Sequence, residues 1–253
     1  MRKKRWIRRW FRRLIVGLTA LLLTAGLGLV VWASFPQQAS PAAARALESD
    51  QQVRVEYEPW LTFYPAGERA AAGLVFYPGG RVVPEAYAPQ ARKIAAEGYL
   101  VVIPEMPLNL AVFRPQAAQE ILAAYPTVEV WAVGGHSLGG AMAARFAAAN
   151  PGSVAGLALW ASYPPESSDL TGSGLDVVSV YGTRDGLAAP EEVLASRDQL
   201  PPDAVFTAVE GGNHAGFGAY GAQRGDNPAE ISREEQAAQV AAATVDLLER
   251  ISR

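Results

Sequence analysis

Short apolar runs separated by stretches with helical periodicity dominate the chain from residue 53 onward. Six runs of five to seven residues, mostly rich in branched side chains, are typical of strands buried on both faces. These runs are 73–77, 99–103, 128–133, 154–160, 177–181 and 205–209. Helical stretches lie between or after them, at 85–97, 115–124, 138–149, 190–199 and 233–251. This alternation predicts an α/β fold with a mostly parallel sheet and helices on both faces, in which ligands bind at the carboxyl ends of the strands.

The amino-terminal part of the chain has a different pattern. Residues 14–35 carry no charge, and as a helix they would extend roughly 33 Å, enough to cross the hydrocarbon core of a membrane. Residues 1–13 hold eight lysines and arginines, a basic segment that the positive-inside rule keeps in the cytoplasm. We therefore predict one transmembrane anchor at 14–35, with the rest of the chain outside the cytoplasm. The alternative is a signal peptide, whose cleavage would release a secreted protein.

The remaining chain divides into a linker and one domain. Residues 36–50 contain two prolines and few large apolar side chains, a composition that predicts a tether. Residues 51–253 then form one domain of about 200 residues, enough for a well-buried core. This domain opens with residues 53–64, whose alternation predicts an edge strand or hairpin interrupted by Pro59.

Composition and charge narrow the possible functions. The chain has no cysteine and only two histidines, His136 and His214, which excludes Cys/His zinc sites and thiolate nucleophiles. Beyond residue 13 it carries 14 basic against 25 acidic residues, so no basic surface for nucleic acid is expected. A dinucleotide fingerprint and a P-loop lysine are missing from the sequence, and we expect neither a metal nor an organic cofactor.

A candidate nucleophile follows the run at 128–133. Residues 135–139 read G-x-S-x-G between a predicted strand and a predicted helix, which is the setting of a nucleophile elbow around Ser137. Glycines fit there because a tight, strained turn leaves little room for side chains on either side of the serine. The structural alternative is a helix-capping serine in a glycine-rich turn.

A serine nucleophile needs a base and an acid that orients the base. His136 adjoins Ser137 in the chain, so its ring should point away from the serine. This leaves His214, which follows the last strand. Asp185 follows the penultimate strand and completes the chain order Ser, Asp, His. Three other carboxylates are alternative acids: Asp169, Asp176 and Glu210.

The oxyanion of acyl transfer requires two backbone N–H donors. We expect one from Leu138, directly after the nucleophile, and the other from Gly80 in the loop after the first parallel strand, with Arg81 as a lesser candidate. Apolar side chains that follow strand ends are candidate substrate-binding walls, although each fits core packing as well. They are Met106, Trp160, Tyr163 and Phe217. Only residues 161–175 separate two neighbouring strands, too few for a helical lid, so we predict an open, shallow site.

Several of these motifs together carry a family resemblance. They are residues 76–81 (FYPGGR), 99–110 (YLVVIPEMPLNL), 135–139 (GHSLG), 182–186 (GTRDG) and 211–214 (GGNH). Over about residues 53–250 the chain resembles the small, lidless α/β-hydrolases related to dienelactone hydrolase. The resemblance implies an α/β-hydrolase fold without a large cap, with Ser137 as nucleophile, Asp185 as acid and His214 as base. Dienelactone hydrolase itself uses a cysteine nucleophile, so its substrate class is not carried over.

These observations predict a serine hydrolase that cleaves a small carboxylic ester through an acyl-enzyme. Two other functions fit the same pattern. One is a membrane-tethered binding domain without turnover, because function depends on the site and not on the fold. The other is acyl transfer, in which an alcohol or an amine replaces water.

Overall fold

The computed structural model describes residues 2–67 and 70–253 of the chain, which divides into two units, Met1–Phe35 and Pro36–Arg253. The first unit contains one helix, α1 (Arg2–Ala33). By length and composition its Trp10–Ala33 part, with a mean hydropathy of 2.5, could cross a membrane. The predicted anchor at 14–35 extends two residues beyond this helix. Met1, which begins the predicted basic segment, lies outside the described residues.

The second unit is built on one sheet. Its strands are β1 (Val53–Glu56), β2 (Leu61–Pro65), β3 (Gly73–Tyr77), β4 (Leu100–Ile103), β5 (Trp131–His136), β6 (Gly156–Trp160), β7 (Asp176–Gly182) and β8 (Val205–Val209). They lie in the order β1-β2-β4-β3-β5-β6-β7-β8. β1 and β2 form an antiparallel edge and β2 also runs antiparallel to β4, whereas the strands from β4 to β8 are parallel. The predicted fold class is confirmed.

Helices cover both faces of this sheet. They are α3 (Ala88–Ala96), α4 (Ala117–Ala124), α5 (Leu138–Ala149), α6 (Pro190–Ala195) and α7 (Arg233–Ile251), after a short α2 (Pro41–Ala44). In β3, Leu74 and Phe76 pack with α3 and α7, whereas Val75 and Tyr77 pack with α4 and α5. Both faces of the central strand are therefore buried, which explains its unbroken apolar sequence.

Residues 36–50 are ordered and belong to the second unit. Beyond α2 they form a 3-10 helix, Arg45–Leu47, and bury Ala43 and Ala46. Gln37 pairs with the chain around Val82, because its N–H donates to Arg81 O at 2.6 Å and its carbonyl accepts from Val83 N at 3.2 Å. The scarcity of large apolar side chains, which predicts a tether, does not prevent backbone pairing, and here that pairing joins the segment to the loop after β3.

The connection from β6 to β7 is short. Residues 161–175 are all described and contain turns but no helix. The carboxyl edge of the sheet therefore has no large cap from this connection, as the sequence predicts.

Candidate active site

Ser137 lies in the tight turn between β5 and α5. Its backbone is in the left-handed region, with φ 52° and ψ −123°, a conformation that costs a residue with a side chain free energy. The Ser137 N–H donates to Trp160 O at 3.0 Å, and the Ser137 carbonyl accepts from Ser162 Oγ at 2.7 Å. The end of β6 thus holds the strained turn from both sides.

The two glycines beside Ser137 are a steric requirement of this turn. A Cβ atom on Gly135 would lie 2.5 Å from the carbonyl carbon of Gly139. A Cβ atom on Gly139 would overlap the carbonyl oxygen of Tyr77. The G-x-S-x-G spacing therefore allows the start of α5 to pack directly on β3 and β5 while Ser137 occupies the apex between them.

The structure brings Asp185 and His214 together. Asp185 follows β7, His214 follows β8, and Asp185 Oδ2 lies 2.8 Å from His214 Nδ1. The exposed fractions of the His214 and Asp185 side chains are 2% and 0%, so the pair is shielded from water. Asp185 Oδ1 also accepts from the N–H groups of Leu187 and Ala188, both at 2.8 Å. The carboxylate is therefore fixed by three hydrogen bonds and favours the imidazole tautomer with its proton on Nδ1.

This tautomer places a lone pair on Nε2 of His214. That atom is buried and accepts no hydrogen bond from any of residues 2–67 and 70–253, Ser137 Oγ included. The structure thus joins His214 to Asp185 but does not join it to Ser137. A general base must come within hydrogen-bond reach of the serine hydroxyl, and such contacts often tighten only when substrate binds. Two of the alternative acids, Asp176 and Asp169, form hydrogen bonds with groups other than His214. Asp176 begins β7, at the opposite end from Asp185, and bonds to Arg250 at 3.1 Å. Asp169 accepts from the Thr171 backbone within its own turn.

The two predicted oxyanion donors are neighbours. A Cβ atom on Gly80 would lie 3.3 Å from Leu138 Cδ2, so the loop after β3 adjoins the first residue of α5. Within the described chain, the N–H groups of Leu138 and Gly80 donate to no other group. The N–H of Arg81 differs, because it donates to Asn109 O at 2.7 Å. The amides of Leu138 and Gly80 are therefore the ones available to a ligand.

Backbone strain is concentrated at this edge of the sheet. Among the described residues other than glycine, five have a positive φ, and each follows a parallel strand: Arg81, Leu108, Asn109, Ser137 and Ala161. They come after β3, β4, β5 and β6, so all lie at the carboxyl ends of strands. Strained residues that persist in a fold tend to mark ligand sites, and this edge is where an open parallel sheet binds its ligands.

His136 takes part in a buried hydrogen-bond chain. The hydroxyl of Tyr87 accepts from Gly79 N at 2.8 Å and lies 3.0 Å from His136 Nδ1. Burial, and next to it the neighbouring imidazole of His214, holds the pKa of His136 well below its ordinary value. Burial also raises the pKa of Tyr87 well above its ordinary value. Both groups are therefore neutral, and the tautomer of His136 decides whether the Tyr87 hydroxyl or Nδ1 donates the hydrogen bond between them.

His136 also supports the ring of His214. The centroids of the two imidazoles are 4.5 Å apart, and Phe217 stacks on His136 at 5.7 Å with an angle of 13° between the rings. The Gly79 loop, the turn at Ser137 and the loop of His214 thus meet around one buried side chain.

The predicted substrate walls divide into two groups. Tyr163 is 38% exposed and Met106 is 7% exposed. Trp160 is buried, donates from Nε1 to Thr244 Oγ1 at 3.1 Å and packs against Phe76. Phe217 is buried as well. The structure therefore brings Tyr163 to the surface, whereas Met106, Trp160 and Phe217 pack in the core.

Sequence reasoning missed polar residues that hold the loop of His214. The Gln236 side chain accepts from Asn213 N at 3.1 Å and donates to Asn213 O at 2.8 Å. The Arg233 guanidinium donates to the carbonyls of Ala215 and Gly218. A glutamine on the apolar face of α7 is a signal that could have indicated such a contact, because a buried amide requires partners.

Comparison with known proteins places these features in a family. A profile of the alpha/beta hydrolase family matches residues 73–238. The esterase domain of a Rhodothermus marinus protein is similar in structure, with a TM-score of 0.58, 14% identity, and coverage of 80% of this chain and 100% of that one. MGS-MChE2, an alpha/beta hydrolase enzyme from the sediment metagenome of the Mar Chica lagoon in Morocco, has a TM-score of 0.52, 18% identity, and coverage of 66% and 90%. No curated protein gives a significant match.

Proposed function

The chain belongs to the alpha/beta hydrolase family, and on that premise we propose that it is a serine hydrolase that cleaves a carboxylic ester through an acyl-enzyme. The observation that carries the proposal is the buried pair of His214 and Asp185, joined at 2.8 Å after adjacent strands. Ser137 lies in a strained turn at the same edge of the sheet. The names of the two similar structures, an esterase domain and a hydrolase enzyme, favour the same chemistry.

The proposed reaction begins with attack of Ser137 Oγ on the ester carbonyl. Nε2 of His214 takes the serine proton, and the Asp185 carboxylate stabilises the resulting imidazolium. The N–H groups of Leu138 and Gly80 donate to the oxyanion, and the start of α5 adds the positive end of a helix dipole. His214 then gives its proton to the departing alkoxide, so that an alcohol leaves and Ser137 carries the acyl group.

The second half of the reaction uses the same groups. His214 takes a proton from water, the hydroxide attacks the acyl carbonyl, and a second oxyanion forms at the Leu138 and Gly80 amides. Collapse of this intermediate returns the proton to Ser137 Oγ and releases a carboxylic acid. No step needs a redox partner or a second substrate other than water.

The proposed substrate is a small ester that reaches an uncapped site. Residues 161–175 form no helix. The exposed Tyr163 is the proposed substrate wall, whereas Met106, which is 7% exposed, stays a prediction from the sequence. The subgroup related to dienelactone hydrolase stays a prediction. We further propose that α1 anchors the chain in the cell membrane with the catalytic domain outside the cytoplasm, on the strength of the basic residues before its apolar part. Cleavage of a signal peptide is the alternative outcome.

The test uses the full chain in detergent micelles with short p-nitrophenyl esters and a fluorophosphonate probe. We expect turnover and covalent labelling of Ser137, and Ser137→Ala should remove the label and lower kcat/KM by about 10³-fold or more. Ser153→Ala is the matched control, because Ser153 caps an exposed turn through Asn150 O and should keep the wild-type rate.

Each other outcome has a distinct meaning. Turnover that survives Ser137→Ala would refute the assignment of the nucleophile. Labelling without hydrolysis, with product formed only when an alcohol or an amine is added, would favour acyl transfer. If neither labelling nor turnover is observed, the result would favour a binding domain.

A further inference from the structure

One carboxylate outside the proposed triad bonds to both loops that carry the acid and the base. In the sequence, Asp226 lies between the loop of His214, residues 210–218, and α7. Its Oδ2 accepts from Ala215 N at 2.8 Å, and its Oδ1 lies 3.2 Å from His214 N and 3.1 Å from Gly186 N. Oδ1 also accepts from its neighbour Asn227 N at 2.9 Å. Asp226 therefore contacts the residue after Asp185 as well as His214 itself.

We infer that Asp226 is a positioning residue that sets the distance between Asp185 and His214. The inference rests on the proposed function, because it assigns Asp226 a role in the same acid–base pair. Hydrogen bonds from N–H groups to a charged carboxylate are stronger than those to neutral acceptors. A single rigid group that accepts from both loops keeps Oδ2 of Asp185 within bonding distance of His214 Nδ1 while the substrate reacts.

The other contacts of these loops do not replace this link. Closer to the strands, Arg184 N donates to Gly212 O at 2.8 Å and joins the two loops at their bases. On the side of α7, Gln236 and Arg233 hold residues 213–218 but do not bond to the loop of Asp185. Beyond residue 184, the described residues join the loop of Asp185 to the loop of His214 by hydrogen bonds at only two places. One is the Asp226 carboxylate and the other is the Asp185–His214 bond itself.

Asp226→Asn is the direct perturbation. It preserves the shape of the side chain but leaves one acceptor oxygen where the carboxylate has two, and its amide N–H₂ faces backbone N–H groups. With the amide oxygen at the Oδ2 position, the bonds from His214 N and Gly186 N are lost, and with the oxygen at the Oδ1 position, the bond from Ala215 N is lost. In either orientation the loop of His214 loses at least one of its two bonds to residue 226. We expect kcat to fall about 10- to 100-fold, the size of effect that a misplacement of about 1 Å produces. The KM should change less than about threefold, because Asp226 makes no proposed contact with substrate.

Asp169→Asn is the matched control. Its carboxylate also accepts a backbone N–H, from Thr171 at 2.9 Å, but it lies in the connection from β6 to β7, outside both loops. The same change of charge and shape at residue 169 should leave kcat, KM and the proton resonance of His214 Nδ1–H unchanged.

A proton NMR measurement tests the geometry without substrate. The full chain contains only two histidines, so labelling histidine with ¹⁵N resolves the Nδ1–H proton of His214, whose downfield shift reports the bond to Asp185. We expect Asp226→Asn to move this resonance upfield and to speed its exchange with water. If Asp226→Asn does not fold by circular dichroism, Asp226→Ser, whose single hydroxyl is shorter than the carboxylate, is expected to give the same spectral change with a loss of kcat at least as large.

The outcomes separate this inference from the proposed function. An unchanged His214 resonance in Asp226→Asn, or a wild-type kcat, would overturn the positioning role even if the ester is hydrolysed. If the wild type hydrolyses no ester, the proposed function fails, yet the shift of the resonance in Asp226→Asn still supports the link between the loops. A wild type without any downfield Nδ1–H proton would overturn the inference, because there would be no bonded pair to position.

Discussion

Replacing Tyr87 by phenylalanine removes one hydroxyl and leaves two buried polar groups without a partner. The hydroxyl accepts from Gly79 N at 2.8 Å and bonds to His136 Nδ1 at 3.0 Å. Both Tyr87 and His136 are almost completely buried, so water cannot take the place of the lost oxygen without opening the structure. The change therefore tests whether this hydrogen-bond chain holds the loop before Gly80.

The expected magnitude follows from the number of orphaned groups. A buried donor or acceptor that loses its partner costs roughly 1–3 kcal/mol. With the Gly79 N–H and His136 Nδ1 both unpaired, Tyr87→Phe should lower the free energy of unfolding by about 2–6 kcal/mol. This is a large share of the roughly 5–15 kcal/mol that keeps a typical domain folded.

Urea unfolding of the full chain, followed by tryptophan fluorescence, measures this loss. Tyr77→Phe is the matched reference, because its buried hydroxyl donates to Pro115 O and accepts from Ala118 N, both at 2.9 Å. We expect a similar loss there. Tyr220→Phe removes one hydrogen bond, to Gln223 at 3.2 Å, and should cost only about 1 kcal/mol.

The comparison among these three tyrosines decides the outcome. If Tyr87→Phe costs no more than Tyr220→Phe, the Gly79 and His136 groups find other partners, and the hydrogen-bond chain does not hold the loop. A loss equal to that of Tyr77→Phe would support the magnitude derived above.

Three further predictions concern the same region. Burial holds the pKa of His136 well below its ordinary value of 6.5, so the unfolded chain binds the proton first and stability falls below about pH 6.5, by up to about 1.4 kcal/mol per pH unit. His136→Asn should flatten this slope between pH 7.5 and 5.5 in urea unfolding, and equal slopes would contradict the assignment. Gly139→Ala should cost at least about 2 kcal/mol in the same assay, because its Cβ would overlap the Tyr77 carbonyl, whereas Gly172→Ala, which points into open space, should stay within about 0.5 kcal/mol. Trp160→Phe should lower the melting temperature and leave the KM for p-nitrophenyl esters within about threefold; a larger change in KM would show that Trp160 contacts the substrate.

The fold could be predicted from the sequence because buried parallel strands are apolar on both faces. The bounds of β3 and β8 agree with the predicted runs at 73–77 and 205–209. β5 shows where the pattern fails, since it begins at Trp131, three residues after the start of the predicted run at 128–133, and continues through Gly134 and Gly135 to His136. These glycines resemble a turn in the sequence, but a Cβ on Gly134 would lie 2.7 Å from Ala158 O, so the neighbouring strand requires glycine within the strand.

The candidate site could be predicted only as far as its signals are local. Ser137 stands in a five-residue motif, and Asp185 and His214 come within a few residues of the ends of β7 and β8, so chain order and strand ends are enough to propose them. Asp226 stands 40 residues after Gly186, in a loop without a periodic pattern, and its contacts exist only after the chain has folded. In the same way, the sequence pattern could not separate the exposed Tyr163 from Trp160, because both follow the same strand and both are aromatic.

The pairing of Gln37 with the chain around Val82 connects the segment after α1 directly to the loop after β3. Gln37 comes two residues after Phe35 and bonds to the backbone on both sides of Val82, next in sequence to Gly80. Tension along this segment would reach the loop of the proposed oxyanion donor before it reached any strand of the sheet. A chain that begins at residue 51 would lack the pairing of Gln37 as well as α1, so it would keep the residues of the proposed triad but lose one support of the loop that carries Gly80.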